Sequence, residues 1–442
     1  MPSMNRALVA VAAAVSTAAL VAGCSAGTPA PGSSATTSSA PAPATVTLNA
    51  WSWDPNLDKI VAVWNKENPG IQVKLSNPAG GDKLVSQVQS AHQSGTAADI
   101  VKVEYQSLPS LVASGVAKDI SQYVPDAAKQ FTPTAFAQVS FEGKTFGVPQ
   151  DFAPLVFFYR EDIFKKYGIT VPTTWDEYAA AARKLHKANS SAYLGTFSAA
   201  DAGWFTGLAQ QAGANWWSAS GDTWRVSIND AATKKVAEFW QGLISEGVIK
   251  GDPFWSPQWN KEMDNGTYAG WISGAWAPAQ LPGIAPNTAG KWKMTTLPAW
   301  TAGDTTTGIW GGSAYIVTTD SKYPEQAAKF VNWLNTSDEA LTMQINTINV
   351  FPSALSGQKL PALSTPPAFM SNQADYYATV AAISQHTRSF DIWGPNATVT
   401  FAAYQDGFAK AITNKSPFDA ALDTMQSTSL ADMQKKGFKV QS

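Results

Sequence analysis

Tryptophan is the residue type in excess in this chain: 18 of 442 positions, every one after residue 50. On an apolar helix face an indole packs. In a loop beside Gly, Pro and polar residues it offers a flat plate to a ligand. Trp64, Trp240 and Trp333 fall among Ile, Val, Phe or Leu at helical spacing and read as packing, as does Trp175 in the first turn of a helix. Trp53, Trp255, Trp276 and Trp310 have loop-like neighbours. Asp54, Asp151 and Asp391 add acceptors, and Arg388 adds a forked donor that suits paired hydroxyls or, equally, a structural salt bridge. Plates and polar groups together suit a molecule with apolar C–H faces and a hydroxyl rim, such as a pyranose. Leaving one buried polar group unpaired costs about 1–3 kcal/mol, which lets such a site discriminate among similar molecules.

Composition removes other chemistries. A formal net charge of −2 with no basic block argues against a nucleic-acid partner. The single Cys forbids an intrachain disulfide and any multi-cysteine metal site. His92, His186 and His386 are scattered, so neither a metal nor a cofactor is expected. No nucleophile elbow, HExxH, EF-hand or phosphate loop is present; Gly80-Gly81-Asp82-Lys83 is a helix entry. The length predicts two lobes rather than one core.

The first 45 residues do not read as fold. Arg6 precedes an apolar run, Ala7 to Val21, too short to span a bilayer and suited to a signal peptide over residues 1–23. It ends in Leu20-Val21-Ala22-Gly23-Cys24, which resembles the lipobox of bacterial lipoproteins. There the cysteine becomes the lipid-bearing N-terminus, so Cys24 is the expected anchor to the outer face of a bacterial cytoplasmic membrane. Residues 24–45 then form a tether: Ser25 to Thr45 contains only Ser, Ala, Gly, Thr and Pro, with nothing to bury.

From Thr45 onward strands and helices alternate. Val46 to Trp51 is β-rich; Leu57, Ile60, Val61 and Trp64 recur at helical spacing; Ile71 to Leu75 and Asp99 to Val103 read as further strands. Such alternation implies a parallel sheet covered by helices. Later, Leu155 to Phe158 reads as a strand, and Thr174-Trp175-Asp176-Glu177 is a capping box opening an Ala-rich helix. The stretch from Trp393 to Gly437 reads as mostly helical.

Several segments, in order, resemble the extracellular solute-binding proteins (family 1) of carbohydrate ABC importers, the family that includes maltose-binding protein. Asn65 to Val73 is similar to its first helix and second strand. Ala98-Asp99-Ile100-Val101 with Ser114 to Ile120 is similar to its "PDI … SGLLAEI" segment. Gly143 to Pro149 with Phe158 to Phe164 is similar to "GK-YG-P … YNKDLF". Gly266 to Trp271 with Gly274-Ala275-Trp276 resembles "G-AM-I-GPW", and Gly311 to Val317 with Glu325 to Phe330 resembles the re-entry strand and helix. The resemblance implies an α/β fold of the type II periplasmic-binding-protein kind: two discontinuous lobes joined by crossing strands. The crossings are placed near 150–154, 305–312 and 351–352. The lobes are then 46–151 plus 308–351 and 152–307 plus 352–442.

The same resemblance assigns ligand contacts. Trp53 and Asp54 follow the first strand, Tyr105 and Gln106 the third, and Asp151 sits at the hinge. Trp204 corresponds to an aromatic plate of the second lobe, and Trp276 to the Trp of "GPW". Trp310 and Gly311 lie at the second crossing; Asp391 and Trp393 match a late segment with a sugar-facing aromatic. Trp255 and Arg388 are added as loop candidates from their residue types. The expected protein is a monomeric binding lipoprotein that delivers a carbohydrate, an oligosaccharide judging by the number of plates, to a permease. The family's "PW" is here Ala275-Trp276 and its Asp-Lys pair is Trp53-Asp54, so the identity of the sugar does not carry over. A secreted glycoside hydrolase would use the same plates with two carboxylates about 5–10 Å apart. A non-catalytic polysaccharide-binding surface protein is the third reading.

Overall fold

The computed structural model describes residues 45–78 and 80–441. The expected signal peptide, Cys24 and the tether lie outside the described residues. In the front of the chain four strands enter one sheet: β1 (Val46–Trp51), β2 (Ile71–Ser76), β3 (Ile100–Glu104) and β4 (Val148–Asp151). A second sheet holds β5 (Leu155–Arg160), β6 (Gly270–Gly274) and β7 (Trp292–Thr296). The chain then returns to the first sheet with β8 (Ser313–Val317), giving the order β2-β1-β3-β8-β4.

Only part of the first sheet is parallel. β1 pairs in parallel with β2 and β3, whereas β8 runs antiparallel to both β3 and β4. The second sheet, in the order β6-β5-β7, is antiparallel throughout. The expectation of an all-parallel sheet is therefore corrected. Helical crossovers join β1, β2 and β3, and these give parallel pairs; β8 enters the sheet from the crossing after β7, a connection that imposes no such direction.

The helices form where the apolar spacing predicts. Leu57–Glu67 buries Leu57, Ile60, Val61 and Trp64, and Trp64 packs on Phe330 and Trp333 at ring distances of 5.3 and 5.1 Å. Trp175–Ala188 opens with the predicted capping box. Thr174 Oγ1 accepts from Glu177 N at 3.2 Å, and Glu177 Oε2 accepts from Thr174 N at 3.3 Å. The C-terminal region forms Ala397–Asn414 and Phe418–Lys435, packed on each other. One large core runs from the underside of the first sheet into the second-sheet half, and a smaller core covers the other face of the first sheet.

The chain crosses between sheets at 152–154 and again between β7 and β8. Isolated bridges Pro154–Ile309 and Asp151–Pro352 tie the crossing segments together. The helix Ala202–Ala212 is pressed directly against one of them: a Cβ on Gly308 would lie 1.9 Å from the Gly207 carbonyl oxygen.

Candidate functional site

A cavity of about 490 Å³ opens beside these crossings, lined from both sheet halves. One wall is aromatic. Trp276 and Trp310 meet edge-to-face with ring centroids 4.9 Å apart, and Trp255 stands 6.1 Å from Trp276 with its plane tilted by only 30°. Behind them Phe254 stacks on Trp310 at 5.5 Å. The Trp276 indole N–H donates to the Trp310 carbonyl oxygen at 2.7 Å, which fixes the ring. Glycine is required here: a Cβ on Gly274 would meet Trp276 Nε1 at 2.3 Å, and Gly311, at φ +89°, would meet it at 2.9 Å. Such backbone positions cost little only for glycine.

The facing wall is polar and comes from the C-terminal ends of β1, β3 and β4. Asp54 is buried and ion-paired to Lys102. Its Oδ2 also accepts from Tyr315 Oη at 2.6 Å and from Gln150 Nε2 at 2.9 Å. Burial pushes the Asp54 carboxyl up, but the Lys102 ammonium and the donors Lys102, Tyr315 and Gln150 outweigh it and hold the group below the ordinary carboxylate value. The Lys102 ammonium also lies 4.8 Å from the centroid of the Trp53 ring. Asp151 accepts from Ser313 N at 2.9 Å and Ser313 Oγ at 2.6 Å. Burial dominates there and raises its pKa despite Lys102 and the Ser313 donors, with Asp54 adding to the rise.

Trp53, Asp54, Asp151, Trp255, Trp276, Trp310 and Gly311 thus lie on the cavity wall. Six other candidates do not line it and are corrected. Tyr105 is fully buried beneath Gly312, its hydroxyl donating to the Asp151 carbonyl oxygen at 2.9 Å. Gln106 turns back to donate to Glu104 Oε2 at 2.7 Å, and Glu104 takes the place on the wall. Trp204 is wholly buried on the inner face of Ala202–Ala212, its indole N–H donating to the Ile272 carbonyl oxygen at 3.1 Å. Arg388 is exposed and donates to the Gly213 carbonyl oxygen at 3.3 Å, and Asp391 accepts from Asn215 Nδ2 at 2.7 Å. Trp393 is buried against Phe390 and Trp217, its N–H satisfied by Gln138 Oε1 at 2.9 Å.

Lys102 and Asp201 were missed. A lysine inside the apolar run Ile100-Val101-Lys102-Val103 can be buried only with a carboxylate, and that signal was readable. Asp201 caps Ala202–Ala212, accepting from Trp204 N at 3.1 Å, and the cap stands at the cavity. Among the described residues no group of three or more His, Cys, Asp or Glu could hold a metal ion.

Residues 50–340 match the profile of the bacterial extracellular solute-binding protein family. The chain belongs to this family. It is a class of substrate-binding proteins, and its two-lobed α/β fold is the one found here. The ABC transporter associated binding protein from B. animalis subsp. lactis Bl-04, solved in complex with beta-1,6-galactobiose, superimposes with a TM-score of 0.81 at 26% identity, covering 90% of this chain and 100% of that one. The galacto-N-biose-/lacto-N-biose I-binding protein of the ABC transporter from Bifidobacterium longum, in complex with lacto-N-biose, gives 0.82 at 27% identity over 90% and 99%. An arabinooligosaccharide-binding protein from Bacillus subtilis (strain 168) is 24% identical over 293 residues, 64% of this chain. This chain spans just under two thirds, 66%, of that relative's length. No helix among the described residues is long and apolar enough to cross a membrane.

Proposed function

We propose that this protein captures a carbohydrate, an oligosaccharide of neutral hydroxyl-rich rings, in its cavity and delivers it to the permease of an ABC importer. The observation that carries the reading is the cavity itself: a tryptophan wall opposite a wall of carboxylates with Lys102 and Ser313. Aromatic faces meet sugar C–H faces while the opposite wall replaces water at the hydroxyls. The sugar-bound relatives of the same fold support the ligand class. Trp53, Trp255, Trp276 and Trp310 are the proposed plates, with Asp54, Asp151 and the Gly311 backbone beside them. The lobes proposed to close on the ligand are 46–151 plus 308–351 and 152–307 plus 352–442, turning about the crossing segments. Lipid at Cys24 would hold a monomer at the outer face of the membrane, next to the permease. The proposed role is non-catalytic, in keeping with the substrate-binding class of the family, with Asp54 held by Lys102 and Asp151 by Ser313 as acceptors.

The test is calorimetry and thermal shift of the purified chain against β-1,6-galactobiose, lacto-N-biose, lactose, arabino-oligosaccharides, maltose and the matching monosaccharides. At least one oligosaccharide is expected to raise the unfolding temperature and to be recovered intact. Stabilisation by none of them sinks the carbohydrate assignment, and release of cleaved sugar sinks the non-catalytic one.

A further inference from the structure

We propose that Trp255 is a specificity-determining plate at the outer end of the tryptophan wall, held there before ligand arrives by a strained backbone, and that Thr196 is the residue that positions it. The proposal rests on the sugar-binding reading and adds what Trp255 reads: the second ring of the ligand.

Trp255 has φ +66°, in the left-handed region that bulky residues rarely occupy. Glycine would adopt it at little cost. The side chain is 42% exposed, the most exposed large hydrophobic among the described residues, and its buried part packs on Trp259, Trp271, Trp276 and Trp310 at ring distances between 5.7 and 6.3 Å. Strained backbone clusters at ligand clamps, and here the strained residue presents its ring to the cavity. Both flanks of the residue are pinned. Thr196 Oγ1 accepts from Asp252 N at 3.0 Å and reaches the Lys250 carbonyl oxygen at 3.0 Å. Ser198 Oγ accepts from Phe254 N at 3.0 Å. On the other side Ser256 caps the helix Pro257–Asn265, its Oγ accepting from Trp259 N at 3.1 Å. Trp255 is the link between two fixed ends, and the turn it is forced into sets its ring beside Trp276.

Exposure grows along the wall from Trp310, 7% exposed, through half-buried Trp276 to Trp255. A single sugar ring seated on the inner pair leaves the outer plate unused. A second ring covers it, so Trp255 contributes to binding only when the ligand is longer than one unit.

The experiment titrates wild type, Trp255→Gly, Thr196→Ala and Thr196→Ser with each oligosaccharide of the panel above beside its matching monosaccharide. Monosaccharide affinities are read by displacement at millimolar concentration. For the best-bound pair, Trp255→Gly should weaken the disaccharide at least tenfold and the monosaccharide less than threefold. Thr196→Ala should weaken the disaccharide at least threefold, and Thr196→Ser should restore it. Disaccharide affinity within threefold of wild type in Trp255→Gly overturns the proposal. So does an equal loss for both sugars. Failure of Thr196→Ser to recover removes the positioning role of Thr196. A wild type that binds no sugar of that panel overturns the sugar reading, and this proposal with it.

Discussion

Asp54 and Asp151 stand on the same wall, yet their surroundings push their carboxyls in opposite directions. The stability that Asp54 gains from Lys102 is complete above its unfolded pKa of about 3.9 and is lost as pH falls through that value toward its lower folded one. Asp151 works the other way: its folded pKa is raised, so its ionised form costs stability at neutral pH and the cost is lifted as pH falls. Asp54→Asn leaves Lys102 buried without its anion and should cost about 3–5 kcal/mol at pH 7. It should also flatten the loss of stability below about pH 4. Asp151→Asn keeps an acceptor for Ser313 and removes a buried charge, so stability at pH 7 should hold or rise. Urea titrations at pH 7 and pH 4 separate the two, and equal losses at pH 7 would refute the assignment. Asp54 and the tryptophans of the cavity wall lie in loops that strand ends and glycines mark in the sequence. The sequence misplaced Trp204 and Trp393 because a loop-like neighbourhood does not reveal which way a ring folds. Trp204 lies in the first turn of a helix, facing in, and Trp393 closes over Trp217.

The elements that deliver these groups are a few helices and strands set unusually close. Helix Ala202–Ala212 lies on the crossing strand so tightly that Gly207 and Gly308 admit no side chain. That contact brings Asp201, the helix cap, to the cavity. Gly308→Ala must push the helix away and should cost about 1–3 kcal/mol. Sugar affinity should fall with it, because the cap moves. Calorimetric titration alongside chemical denaturation checks both, and an unfolding free energy equal to wild type would mean the contact has room. The helices were legible because their caps and apolar stripes are local: Thr174 and Glu177, or Leu57, Ile60, Val61 and Trp64. Strand direction was not. Leu155 to Phe158 is a buried apolar run, and such a run looks the same whichever way its neighbours point.

At the scale of the whole molecule one core joins the two sheet halves. Gln138 adds a polar tie between them, accepting from Trp393 Nε1 at 2.9 Å and donating to Ser389 Oγ at 3.2 Å. Residues 45–441 should therefore unfold in a single calorimetric transition. Gln138→Ala, which strands a buried indole N–H, should lower that whole transition by about 1–3 kcal/mol. Two separated endotherms in the wild type would show that the halves are independent. The return of β8 into the first sheet has a kinetic consequence. β4 finds its sheet partner only in β8, and Ser313 binds Asp151 across 162 positions of chain. A growing polypeptide therefore cannot complete its first sheet until residue 317 is available, however well its early helices form. Contacts this distant in sequence make folding slow. A nascent fragment ending before Ser313 would keep the edges of β3 and β4 open.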